Sequence, residues 1–187
     1  MNDVGQALGL VWEHIWPGLS DSTLPENPES MALLLDKLES LAIAIPEGDI
    51  SPEAARRWQA RLPERFSYAM GENALRISKM DLAVSGDVVT LEAEGPNGHF
   101  TVKGAFGRWE PGTENFFIGI AEAPGDTGAG YVSESGDGVL QVQVQQLCGP
   151  ASALLSIRLD GDRLLVGGKM NATFGPADLP TLEGVKI

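Results

Sequence analysis

A single cysteine, two histidines and a shortage of basic residues exclude several kinds of protein before any pattern is read. Cys148 has no partner for an internal disulfide, which fits a reducing compartment, so a cytoplasmic location is expected. A small buried position near a strand end is its expected place. His14 and His99 lie far apart with no Cys or second His at ligand spacing, whereas structural zinc sites draw four such ligands from paired local motifs. No metal or other cofactor is expected. Thirteen Lys and Arg stand against 26 Asp and Glu, a formal net charge of −13, and such a surface repels nucleic-acid phosphates and anionic membranes. No apolar run approaches the roughly 20 residues of a membrane-spanning helix. The N-terminal stretch carries Asp3 and Glu13 where a secretory leader has basic residues. Neither nucleic acid nor a membrane is therefore expected as a partner.

Catalytic signatures are missing as well. The chain has no G-x-x-x-x-G-K-[ST] phosphate loop, no G-x-G-x-x-G between a strand and a helix, and no G-x-S-x-G elbow. Asp160 and Asp162 flank a turn, where Asp is favoured for local hydrogen bonding, so they do not read as a catalytic pair.

What the chain does contain is alternation. From Ser78 to Trp109, Met80, Leu82 and Val84, then Val89, Leu91 and Ala93, then Phe100, Val102 and Phe106 fall on one face, with Asp81, Thr90, Glu92, Thr101 and Lys103 on the other. Ser85-Gly86-Asp87 and Gly95-Pro96-Asn97-Gly98 break it into a β-meander. Trp109 is expected to plug the end of a sheet or barrel. Phe66 to Met70 precede the meander. Asn115 to Ala121, Gly130 to Glu134, Val139 to Leu147, Ala153 to Leu159 and Arg163 to Gly167 follow it, the last two joined by Asp160-Gly161-Asp162. Gln141, Gln143 and Gln145 face away from Leu140, Val142 and Val144. Glu122 to Ala129 reads as a mobile loop, and Leu182 to Val185 as a final edge or a surface segment. Asn171-Ala172-Thr173 matches a glycosylation acceptor, a pattern short enough to occur by chance.

Before Arg65 the chain reads as helical. Val4, Leu8, Val11, Trp12 and Ile15 form a stripe ended by Pro17-Gly18. Asn27-Pro28-Glu29 starts a second helix carrying Met31, Leu34, Leu35, Leu38 and Leu41, with its segment ending at Pro46-Glu47-Gly48. Ser51-Pro52-Glu53 starts a third with Ala54, Ala55 and Trp58. Arg56, Arg57, Arg61 and Arg65 are expected to form a solvated face paired with nearby carboxylates. The resulting expectation is an α+β, mainly β chain, with a helical segment and connector over 1–62. An antiparallel up-and-down β-barrel of about eight strands follows over 63–187, with a two-sheet sandwich as the alternative.

Several phrases resemble a known family. Val11-Trp12-Glu13-His14-Ile15-Trp16-Pro17, Leu24-Pro25-Glu26-Asn27-Pro28, Gly107-Arg108-Trp109, Leu159-Asp160-Gly161-Asp162-Arg163-Leu164 and Thr173-Phe174-Gly175-Pro176 together resemble the C-terminal region of beta-lactamase-family serine hydrolases. These are the penicillin-binding-protein-like and class C beta-lactamase-like esterases and amidases. In that family a preceding catalytic domain uses Ser-x-x-Lys, Tyr-x-Asn and Lys/His-x-Gly, none of which occurs here. Some members end in barrels similar to lipocalins. The resemblance implies a non-catalytic accessory barrel that caps or shapes a partner hydrolase domain. It also makes the face of Val4, Leu8, Val11, Trp12 and Ile15 an interaction face, for that domain or for a second copy of the chain. The alternative is a self-standing lipocalin-like barrel binding a small apolar molecule, lined by Leu82, Leu91, Phe100, Val102, Trp109, Val142 and Leu155. Against it stands an interior packed solid by these same side chains.

Overall fold

The computed structural model describes residues 4–96, 98–116, 127–171 and 177–187. By contacts the chain divides into two units, Met1–Ala44 and Ile45–Ile187. No described helix is long and apolar enough to cross a membrane.

In the first unit α1, Val4–Leu10, continues through a π-helical turn, Val11–Ile15, and a 3-10 turn, Trp16–Gly18. Pro17 is tolerated only because it enters at the start of that last turn, and no helix survives beyond it. The Trp12 and Trp16 rings meet at 4.9 Å. Helix α2, Pro28–Glu39, begins as expected, with Asn27 Oδ1 accepting from the Ser30 N–H at 2.9 Å and Pro28 at the first helical position. It ends at Glu39 instead of running on to Pro46, because Ser40 donates its hydroxyl to the Lys37 carbonyl at 2.9 Å and breaks the ladder. Leu8, Trp12 and Ile15 are 53 to 58% exposed.

The second unit begins with a strap, 45–50, and helix α3, Pro52–Arg61. Here the division of the chain differs from the expected 62/63 boundary: α3 belongs with the barrel because Ala54, Ala55, Trp58 and the following Leu62 are fully buried in the barrel's core. The strap is pinned to the wall by a bridge between Asp49 and Glu134 and by the Ser133 hydroxyl donating to the Glu47 carbonyl at 2.8 Å.

Ten strands make the wall: β1 Phe66–Met70, β2 Lys79–Ser85, β3 Val88–Gly95, β4 Gly98–Phe106, β5 Glu110–Glu114, β6 Thr127–Glu134, β7 Leu140–Gln146, β8 Ser152–Asp160, β9 Arg163–Met170 and β10 Asp178–Lys186. Each pairs antiparallel with the next, and β10 pairs with β1, so the sheet closes into a barrel and not a two-sheet sandwich. Closure leaves no free edge among the described strands. The count exceeds the expected eight in that the final segment, Asp178–Lys186, is a full closing strand. β5 occupies Glu110–Glu114, ahead of the expected Asn115 to Ala121, of which 117–121 lie outside the described residues. Pro111-Gly112 reads as a loop in sequence but is absorbed by a register shift between Pro111 and Thr113. Most of the expected loop 122–129, Asn97 of the turn at 95–98, and Ala172 and Thr173 of the glycosylation pattern also lie outside the described residues.

The short β5 lets β4 and β6 touch directly, in parallel, at Ala105 with Tyr131 and Phe106 with Val132. Two glycines make this seam possible. A Cβ on Gly130 would stand 2.2 Å from the Lys103 carbonyl oxygen, and one on Gly104 2.8 Å from Val132 Cγ2.

Register aligns Leu82, Leu91 and Val102 across β2 to β4, and Phe106, Val132, Val142 and Leu155 across β4 and β6 to β8, all inward and buried. The expected outward residues are outward, but Asp81 is buried on that face by its ion pairs. Arg65 reaches Asp81 at 2.6 Å and also Glu92, and Lys79 reaches Asp81 at 3.1 Å. The other arginines of the cluster are engaged too: Arg56 with Glu53, Arg57 with Asp49 and Glu134, and Arg61 over the Trp58 ring at 4.4 Å. Cys148 is exposed in the loop after β7, where the strand has ended, and not buried as expected.

Two of these carboxylates tie stability to pH. Burial pushes the Asp81 carboxyl up, but hydrogen bonds from Ser67, Arg65 and Lys79 outweigh it and hold the group at about 2, below the ordinary 3.8. Hydrogen bonds from Ser51 and Arg57 likewise lower Asp49 to about 2. A lowered pKa stabilises the folded chain above the unfolded value and is lost as pH falls from 3.8 through 2. Urea unfolding along that window should show a falling midpoint, and Asp81→Asn should flatten part of the fall.

Candidate functional site

The two ends of the barrel differ. At the end carrying the turns 86–87 and 135–139, α3 packs beneath β2 and β4, and Arg61 donates to the Gly138 carbonyl at 3.4 Å. Trp58 and Leu62 join Leu140, Ile157 and Leu164 there, every one at 0% exposure, so this end is filled. At the opposite end an apolar pocket opens among the β1–β2 and β3–β4 loops and the start of β10.

Its floor is made by Met80, Leu91, Leu155, Val166 and Leu182. Phe100 and Phe116 form one wall, edge to face with ring centroids at 6.0 Å. Leu75 and Ile77 close another side from the β1–β2 loop, which one amide holds in shape. Asn73 Nδ2 donates to the Gly71 and Ile77 carbonyls at 2.7 and 2.8 Å, and Asn73 Oδ1 accepts from the Ile77 N–H at 3.1 Å. Ser78 N–H then ties the loop to the Glu94 carbonyl at 2.9 Å. Glycine at 95 gives Ile77 room to lie across β3, since a Cβ there would sit 2.9 Å from Ile77 Cδ1. Leu179 and Pro180 complete the rim. The centre of a water-sized sphere has about 70 Å³ in which to move, several times what one water needs. That is room for one short apolar group or the end of a chain.

The polar atoms at the mouth are few. His99 Nε2 lies 3.5 Å from the Thr101 hydroxyl, and Asn115 Nδ2 donates to the His99 carbonyl at 3.5 Å. Outside the pocket lining, burial and then the Asp162 charge push the Tyr68 phenol above its usual value. Among the described residues no group of three or more His, Cys, Asp and Glu is placed to hold a metal ion.

No family model matches the sequence. No curated protein matches it either, so the serine-hydrolase resemblance rests on the quoted phrases alone. The last of them, Thr173 to Pro176, lies outside the described residues. Among solved structures, a secretary abundant heat soluble (SAHS) protein from Ramazzottius varieornatus is 16% identical, with 58% of this chain and 72% of that one covered and a TM-score of 0.42. The fatty-acid-binding protein 1 of Echinococcus granulosus is 10% identical, with coverage of 69% and 98% and a TM-score of 0.44. The fatty-acid-binding protein of Manduca sexta is 17% identical, with 67% and 97% covered and a TM-score of 0.41. These are likenesses of shape, and the barrel described above stands on its own strand pairing.

Of the seven expected lining residues, the pocket gathers Leu91, Phe100 and Leu155. Leu82, Val102 and Val142 do point inward, but at 0 to 1% exposure they fill the barrel beneath the pocket. Trp109 is not in the interior. Its ring packs edge-on against Tyr131 at 5.5 Å, and Tyr131 alternates with the inward Val132, so the pair covers the outer wall beside the β4–β6 seam. The sequence reading missed Leu75, Ile77, Phe116 and Leu179, which reach the pocket from loops and strand ends. The signal for them was four large apolar residues set beside turn residues, where a loop has no other use for them. The expected interaction face keeps Leu8, Val11, Trp12 and Ile15 exposed, while the Val4 side chain lies outside the described residues.

Proposed function

We propose that the barrel binds a small apolar molecule at its open end. The observation that carries this reading is the asymmetry of the interior: one end is packed solid under α3, while the other is a preformed cavity with an aromatic wall. Small-molecule sites in barrels are built this way, mostly apolar and already shaped before the ligand arrives. The loop hydrogen bonds of Asn73 spare a ligand the cost of ordering the rim. The neutral fluorophore N-phenyl-1-naphthylamine, with one ring edge entering the cavity and the rest lying across its open mouth, should brighten on titration and be displaced by medium-chain alcohols whose chain ends enter instead. Leu179→Trp, which puts a larger ring across the rim, should weaken binding about tenfold, equal to about 1.4 kcal/mol. A probe that stays dark with the parent chain, or binds Leu179→Trp equally well, would remove the pocket from the account.

A second reading, the accessory barrel of a serine hydrolase, is favoured by one separate observation. The first unit presents Leu8, Trp12, Ile15 and Trp16 more than half exposed on a short helix, a face of the kind that meets another protein. The partner proposed for it is the catalytic domain the sequence phrases imply. Mixing the chain with such a domain should give a complex lost in Trp12→Ser. Self-association without binding would give the face to a second copy instead.

A further inference from the structure

Resting on the reading of the open end as a ligand pocket, we infer that it selects uncharged apolar molecules and rejects fatty carboxylates, because its described lining residues include no Lys or Arg and exposed carboxylates flank its mouth. Among its described lining residues only His99 can carry a positive charge, and that side chain sits at the exposed rim beside Thr101. Among the described residues the buried polar and charged ones are Asp81, Thr113, Ser133 and Ser152, with no Lys or Arg.

Most arginines of the wall, and Lys79, are committed to carboxylates on the outer face. Arg65 and Lys79 serve Asp81 on the outer face, Arg57 serves Asp49 and Glu134, Arg108 serves Asp87 and Glu110, and Arg163 serves Glu183. Glu94, Glu114 and Asp178 are exposed and stand one residue from Gly95, Asn115 and Leu179 of the lining. An ionised head group drawn into the pocket would lose its water and gain no counter-charge. One left outside would meet like charges within a Debye length. Among the described residues the nearby cations are Arg76, exposed between Leu75 and Ile77, Lys169, exposed and opposite Asp178 in register, and Lys79 opposite Glu94. An exposed pair of that kind adds little, since water and salt screen it.

The test compares ligands that differ only in the head group. With the full chain near pH 7.5, where a carboxylic acid is ionised, N-phenyl-1-naphthylamine is displaced by 1-decanol, methyl decanoate or decanoate. The expected result is that the alcohol and the ester compete alike, while decanoate is at least about fivefold weaker, a gap of about 1 kcal/mol. Leu179→Lys, which brings a cation to the rim, should shrink that gap, and raising salt should shrink it in the parent chain. Decanoate competing within fivefold of decanol would overturn the selectivity and leave the pocket standing. A gap unchanged in Leu179→Lys would overturn its electrostatic cause. No probe binding at all would remove the pocket itself and, with it, this inference.

Discussion

Replacing Gly130 by alanine should lower the stability of the barrel by about 3 kcal/mol or more, the upper end of what overpacking costs. The added carbon would stand 2.2 Å from the Lys103 carbonyl oxygen and 2.9 Å from Gly104 Cα, both backbone atoms with no rotamer to change. To admit it, β4 and β6 must move apart where β5 is too short to bridge them, and the inward Val132 loses its neighbours across the seam. Gly136→Ala is the matched control, since nothing lies within 4 Å of its added carbon. It should change stability by less than about 0.5 kcal/mol. Urea midpoints of the two variants decide the matter. Equal midpoints would mean that β4 and β6 do not touch.

The second large effect concerns the filled end. Trp58→Ala should cost about 3–5 kcal/mol, as expected for truncating a fully buried ring. At 0% exposure Trp58 is among the largest side chains in the core, and Leu62 beside it is equally buried. Its loss would also leave Arg61, stacked 4.4 Å above the ring, over a void. Trp58→Phe should be much milder. It keeps most of the apolar volume, and among the described residues the indole N–H it removes has no hydrogen-bond partner. An alanine variant as stable as the parent would show that α3 does not plug the barrel.

Much of the wall was legible in the sequence because period-2 alternation and two-residue turns are local. Gly86-Asp87 joins Ser85 to Val88, and Gly161-Asp162 joins Asp160 to Arg163, at the places the pattern puts them, with both glycines at positive φ. The second helix start was legible for the same reason, one cap and one proline. What escaped depends on partners distant in the chain. Pro111-Gly112 reads as a breaker, and only β6 on its far side makes the segment a strand. Trp58 reads as one apolar residue on a short helix, and only the barrel end makes it core. Trp109 was assigned to the interior because large aromatics cap barrels, but the ring that receives it, Tyr131, faces outward.

The candidate site was half legible. Alternation correctly sends Leu91, Phe100 and Leu155 inward, but it does not say at which level the packing stops and a cavity begins. That level is set by loops: Leu75 and Ile77 lie outside any periodic pattern, and Phe116, expected within a strand, follows the end of β5 at Glu114.

The most direct test of an open upper end and a filled lower one is methyl NMR of the full chain during titration with 1-decanol. Ile77, Leu91, Leu155, Val166 and Leu182 line the pocket and should shift progressively and saturably, while Leu140, Ile157 and Leu164 at the α3 end should not move. Shifts spread evenly over both sets, or confined to the exposed Leu8 and Ile15 of the first unit, would contradict a ligand pocket in the mouth of the barrel.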